Sequence, residues 1–228
     1  MALVSCSHDA TSIPPPIKSS APVITPPVVS TTPPITPPCR QGMVLSPDKT
    51  FCIDQYEWPN QKGVYPDFAM TAFEAENNCR SVGKRLCTHK EWVRACRGKA
   101  NLTYGYGNTW NSKACNDDNP GPYQAPHWEI MLQGHAAWKA WAKTLYKGVP
   151  SGSMESCSVD EGDGKIYDMI GNVREWVKNP NGNGGYDFES SFWYGTMQGP
   201  LGCGFEVTVH SPGFASYEVG TRCCSEVQ

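Results

Sequence analysis

No run of eighteen apolar residues occurs in this 228-residue chain, so no segment is long enough to span a bilayer as a helix. Positive charge is sparse and scattered. The 19 Lys and Arg are outnumbered by 22 Asp and Glu, for a formal charge of −3, and the clustered cations that a phosphate backbone requires are missing, which excludes a nucleic-acid partner. There is no C-x-x-C pair of the kind that holds structural zinc. G-x-S-x-G, P-loop and H-E-x-x-H patterns are also missing, and with them the nucleophile elbow, the phosphate cradle and the zinc-protease helix. Histidine is scarce: His8, His89, His127, His135 and His210 are dispersed, and the closest pair, His127 and His135, exceeds the i, i+4 spacing that lets two imidazoles on one helix share a metal.

Cysteine is abundant, with eleven in the chain. Their long, irregular spacings (Cys39, Cys52, Cys79, Cys87, Cys96, Cys115, Cys157, Cys203, then Cys223 and Cys224) predict disulfides and an oxidising, extracytoplasmic compartment. Leu3-Val4-Ser5-Cys6 has the shape of a bacterial lipoprotein processing box, in which Cys6 is the lipidated residue. The match is short, and the charged and apolar regions that precede such a box are not visible ahead of it. Setting Cys6 aside leaves ten cysteines, an even number that can pair completely. Residues 7–38 are Pro, Ser, Thr and Val with almost no charge and no aromatic residue. Such a stretch cannot bury enough surface to fold and is expected as an extended stalk of about 3.1 Å per residue where proline dominates. The predicted organisation is residues 1–38 as lipoprotein-like N-terminus and stalk, and 39–228 as one globular domain.

Within that domain, Gly42-Met43-Val44-Leu45 and Phe51-Cys52-Ile53-Asp54 flank a Pro47-Asp48-Lys49 turn and predict a β-hairpin. Two helices are announced by capping boxes, Thr71-x-x-Glu74 and Thr88-x-x-Glu91, and are stopped at Gly83 and Gly98. Trp128, Leu132, His135, Trp138, Ala142 and Leu145 recur at helical spacing and predict one further helix over about 127–147. Beyond Ser151 short strands and Gly-rich turns dominate, with Glu175 and Trp176 on opposite sides of one strand. This pattern predicts an α+β domain with little regular secondary structure, held by disulfides.

Four stretches, in order, resemble the formylglycine-generating enzyme, or sulfatase-modifying factor, family. They are Gly42-Met43-Val44 with Ile53-Asp54-Gln55-Tyr56-Glu57; Gly83-Lys84-Arg85-Leu86-Cys87-Thr88-x-x-Glu91-Trp92; Tyr167-Asp168-Met169-Ile170-Gly171-Asn172-Val173-Arg174-Glu175-Trp176; and Gly220-Thr221-Arg222-Cys223-Cys224. The resemblance implies a variant of the C-type-lectin-like fold. It also implies structural calcium, held by side-chain and backbone oxygens of Asp168, Gly171, Val173 and Glu175, with Asn116 and Asp117 nearest a second site. Two carboxylates and two carbonyls begin the six- to eight-oxygen shell of calcium; the plainer alternative is that Asp168 caps a turn and Glu175 pairs with an arginine. Two disulfides follow from the resemblance, Cys79 with Cys223 and Cys96 with Cys203. The other six domain cysteines allow fifteen connectivities. Extended, Cys223 and Cys224 would face opposite ways and need different partners.

The enzymes of this family oxidise a substrate cysteine with copper(I), a soft ion that they hold between two cysteines five residues apart. Counted back from Cys203, those positions fall at Gln198 and Trp193, and no cysteine lies between Cys157 and Cys203. The three-histidine iron site of other relatives of the fold has no counterpart. No redox cofactor is therefore expected. The resemblance puts Tyr186, Phe192, Trp193 and Tyr194 where the family's substrate groove lies, and exposed rings there would suit a glycan or an extended peptide. The expected function is a non-catalytic binding or structural domain with a protein or glycan ligand at the cell surface, reaching a membrane only through its lipid: an outer-membrane or periplasm-facing lipoprotein, or a secreted protein. The competing expectation is a metal-dependent oxidase with relocated ligands.

Overall fold

The computed structural model describes residues 37–119, 128–195 and 201–228. Cys6, residues 7–36 of the expected stalk, His127 and Gln198 lie outside them. The predicted hairpin is present as β1 (Met43–Leu45) against β2 (Cys52–Asp54), antiparallel with Val44 opposite Ile53. The first helix, α1 (Ala72–Ser81), opens on a complete capping box: Thr71 Oγ1 accepts from the Glu74 amide (3.2 Å) and Glu74 Oε2 accepts from the Thr71 amide (2.8 Å). It ends where Gly83 adopts φ +69°, which lets the Lys84 amide reach the Cys79 carbonyl and the Gly83 amide reach that of Arg80, a Schellman closure. β3 (Arg85–Leu86) follows, and α2 (His89–Arg97) opens on a second capping box, Thr88 with Glu91. Glu91 is also held by a bidentate pair with Arg85 (2.7 and 2.8 Å), so this tight connection is fixed twice.

The helix expected over 127–147 is two pieces, α3 (Trp128–Met131) and α4 (His135–Leu145). Gly134, at φ +98°, sits at the break, a conformation that continues no helix, and Leu132, counted on the apolar face, is exposed. Trp138, Ala142 and Leu145 of α4 are buried; Ala142 and Leu145 pack with Phe68, Val173, Phe192, Trp193 and Tyr217.

The remaining strands are β4 (Ser158–Asp160), β5 (Lys165–Tyr167), β6 (Arg174–Asn183), β7 (Tyr186–Glu189), β8 (Glu206–Val207), β9 (Val219–Gly220) and β10 (Cys223–Ser225). They form one sheet in the order β1-β2-β10-β3, a second in the order β8-β7-β6-β9, and a β4-β5 ribbon. Strand β10 is thus inserted between β2 and β3, antiparallel to both. In the β8-β7-β6-β9 sheet, Trp176, Tyr186 and Phe188 join Ala72, Ala75 and Cys79 of α1 in one core on one face. The alternate face carries Glu175, Val177, Asp187 and Glu189 toward α2, where Val177 joins Trp92 and Ala95.

Five disulfides cross-link these elements: Cys39–Cys52, Cys79–Cys223, Cys87–Cys224, Cys96–Cys203 and Cys115–Cys157. Cys79–Cys223 and Cys96–Cys203 are the two pairs that the resemblance implies. Adjacent Cys223 and Cys224 take different partners, Cys79 of α1 and Cys87 in the connection between β3 and α2.

Candidate functional site

The loop that leaves β2, the turn after β5, β6 and the segment between β9 and β10 all direct polar side chains into one place. Glu57, Asp168, Glu175 and Arg222 are each 2% exposed or less. The Arg222 guanidinium is the hub. It donates from Nε to both oxygens of Glu175 (2.9 and 2.7 Å), from Nη2 to Glu175 Oε1 and to the Tyr167 carbonyl (2.8 Å each), and from Nη1 to the Asp54 carbonyl (3.2 Å). Trp92 of α2 donates its indole N–H to Glu175 Oε2 at 2.6 Å. Glu57 accepts from Ser151 Oγ (2.7 Å), Asn172 Nδ2 (2.8 Å) and the Val173 amide (3.3 Å), and Asp168 accepts from the Gly152 amide (2.6 Å).

One guanidinium therefore faces three carboxylates in the protein interior. Burial, reinforced by the charges of Asp168 and Glu175, pushes the Glu57 carboxyl well above the usual range. Burial likewise raises Asp168 to about 6 against the opposing pull of Gly152 and Arg222. The Tyr146 hydroxyl, buried without a partner, is pushed up by burial and by the charges of Glu57 and Asp168. A buried excess of negative charge is relieved by protonation or by a cation.

These positions give a divided answer on calcium. Each Glu175 oxygen already accepts two hydrogen bonds, so its lone pairs are occupied and it does not fit as a ligand. Asp168, a buried carboxylate beside the charge of Glu57, has the chemistry of a calcium ligand. The second expected site lies against the first: a Cβ on Gly171, itself at φ +81°, would stand 2.4 Å from the Asn116 carbonyl and 2.9 Å from Asp117 Cβ. Asn116 is engaged with Lys147 and Asn172, while Asp117 accepts from Trp110 Nε1 (3.0 Å) through Oδ2 and has a buried Oδ1 without a partner.

The aromatic segment is not the open face that the sequence suggested. Tyr186, Phe192 and Trp193 are at most 7% exposed and Tyr194 is half-buried. Tyr186 belongs to the core beneath α1, and Phe192 and Trp193 to the core beneath α4, because a domain with so little regular structure fills its interior with rings. Trp193, one of the two positions counted back from Cys203, is a core side chain, and Cys203 is bridged to Cys96. A copper(I) thiolate pair does not fit these residues. Glu57, Trp92, Asn172 and Arg222, which complete the buried cluster, received no individual role from the sequence, although each stands inside or beside a matched motif.

This architecture is the C-type-lectin-like fold in its formylglycine-generating-enzyme variant. The sulfatase-modifying factor enzyme 1-like domain family matches residues 51–223, and the chain belongs to that family. Among solved structures, CarF matches with TM-score 0.53 and 16% identity, over 78% of this chain and 87% of CarF. PvdO from Pseudomonas aeruginosa matches with TM-score 0.49 and 17% identity, over 77% of this chain and 80% of PvdO. The major tropism determinant I1 variant matches with TM-score 0.49 and 11% identity, over 83% of this chain and 53% of its own. No curated protein matches this chain. The five disulfides fit an oxidising, extracytoplasmic compartment, and among the described residues no helix is long and apolar enough to cross a membrane.

Proposed function

We propose that this chain is a non-catalytic member of its family, a binding or structural domain displayed on a bacterial envelope by a lipid on Cys6 and the stalk of residues 7–38. The observation that carries the reading is the state of the sulfur atoms: all ten cysteines among the described residues are joined in disulfides, so none remains as a thiolate for a soft redox ion. Thiol titration of the denatured, non-reduced protein is expected to find at most the sulfhydryl of Cys6; two or more reactive thiols overturn the reading. Metabolic labelling with a fatty acid is expected to mark the wild type and not Cys6→Ala.

The ligand proposed for this domain is a protein or a glycan at the cell surface, taken on a face other than the buried aromatic segment. Calcium is proposed as a structural ion at Asp168 and the carbonyls of Gly171 and Val173, supported by the excess of buried carboxylates over cations there. Its chemistry is charge neutralisation and nothing further. Adding calcium to chelator-treated protein is expected to raise the Tm, as any ligand selective for the native state does. An unchanged Tm rejects the ion and leaves Arg222 as the cation of the cluster.

A further inference from the structure

On the sheet face that meets α2, three glutamates lie in one row across neighbouring strands. Glu175 of β6 is paired in register with Glu189 of β7, and Glu189 with Glu206 of β8. Like charges directly opposite on one face destabilise a sheet. Arg222 and Trp92 answer Glu175. At the other end of the row the answering group is His89, first residue of α2, whose Nδ1 lies 2.6 Å from Glu189 Oε1 and 3.4 Å from Glu206 Oε2. Asp187, two residues before Glu189 on β7, shares this side, where Asn179 Nδ2 donates to its Oδ2 at 2.6 Å and reaches Glu206 Oε2 at 3.4 Å.

This arrangement is incomplete as an ion pair. Glu189 is 0% exposed, yet its Oε2 has no partner; Asp187 is equally buried, and its Oδ1 has none either. Leaving a buried carboxylate oxygen without a partner is costly, because its lost hydration is not replaced. One imidazole faces three carboxylates. The candidate ligand atoms of His89, Glu189 and Glu206 all lie within 4.8 Å of one another, a spread that rotation of the part-exposed His89 and Glu206 side chains closes onto one small ion. His89 and Glu206, with side chains 29% and 40% exposed, leave it a way in.

We propose that His89, Glu189 and Glu206 form a binding site for a first-row divalent cation of the zinc class, with Asp187 beside it as a further carboxylate. Nitrogen in the ligand set favours zinc and its neighbours over the hard, oxygen-seeking calcium. Three protein ligands leave the fourth position to water, as zinc accepts. Neutral imidazole and two carboxylates would hold the ion, which supplies the positive charge that the carboxylates lack. The site is separate from Asp168 and does not depend on the proposed function.

The test is zinc binding by the full-length, tag-free chain after chelator treatment and desalting. Titration calorimetry and metal analysis are expected to show about one equivalent of zinc retained at micromolar concentration. Cobalt(II) loading is expected to give visible ligand-field bands that disappear in His89→Ala. Glu206→Gln alters the exposed ligand, so its metal-free Tm is expected to match the wild type while its zinc affinity falls by at least about tenfold. Wild type that retains no zinc overturns the proposal. So does zinc bound equally well by His89→Ala and Glu206→Gln, which would place the metal elsewhere, and so does displacement of the zinc by millimolar calcium.

Discussion

Glu175 and Glu189 stand opposite each other on β6 and β7, both buried, both on the face covered by α2, and each met by one residue of that helix. Glu175 meets Trp92 and the guanidinium of Arg222, and every lone pair is used. Glu189 meets a half-exposed imidazole and keeps a bare oxygen. Burial raises the Glu189 carboxyl to about 7 against the pull of His89, whereas Glu175 has a fixed cation within hydrogen-bond reach. Depth alone therefore does not decide what a buried carboxylate does. A saturated acid anchors the fold, and an unsaturated one is left with capacity to bind.

The sharpest way to break this contrast is to remove the hub. Arg222→Met leaves Glu57, Asp168 and Glu175 without their shared cation, and urea denaturation is expected to show a loss of about 3–5 kcal/mol. A loss below about 1 kcal/mol would mean that the pair is not the anchor described. Next in size, Cys96→Ser with Cys203→Ser opens a loop of 107 residues and is expected to cost about 2–5 kcal/mol by the same measurement, without exposing a new thiol.

At the unsaturated end the sign reverses. Glu189→Gln removes a charge that is costly to bury, so metal-free protein at pH 8 is expected to gain about 1–3 kcal/mol, a gain that shrinks toward pH 5. The wild type without metal should follow the same logic. Asp168, near 6, and Glu161 and Glu189, near 7, lie above the unfolded carboxylate range, so the folded state holds more protons than the unfolded state between about pH 4 and 7. Their contribution is fully present below the unfolded value and is lost as pH rises through the folded one. His89, raised by its bond to Glu189, acts in the same direction. The Tm should therefore rise by a few degrees from pH 8 to about pH 5.5. It should fall again in stronger acid, as Glu76 and Glu91, held low by partners that outweigh their burial, become protonated.

What the sequence disclosed follows from how local each signal is. Both capping boxes lie within four residues, and the structure forms them as expected. The alternation of Glu175 and Trp176 needs only the strand period. The break at Gly134 escaped because the apolar spacing runs straight through it, and periodicity does not register a single left-handed residue. The burial of Phe192 and Trp193 escaped for a different reason: what covers them, α4 and Tyr217, comes from remote parts of the chain. The partnership of His89 with Glu189 depends on two strand registers and a helix start separated by a hundred residues, so in the sequence His89 is one isolated histidine among five.

The placement of β10 has a consequence for biosynthesis. Strands β2 and β3 are written early in the chain, but neither pairs with the other; each waits for residues 223–225, and Cys79 and Cys87 wait with them for Cys223 and Cys224. A nascent domain emerging on the oxidising side of a membrane must keep two thiols and two strand edges in reserve until nearly all of it has been delivered. Closure is then a late and collective event, and a chain cut short before Cys223 would be left with both thiols reactive and both edges open to other chains.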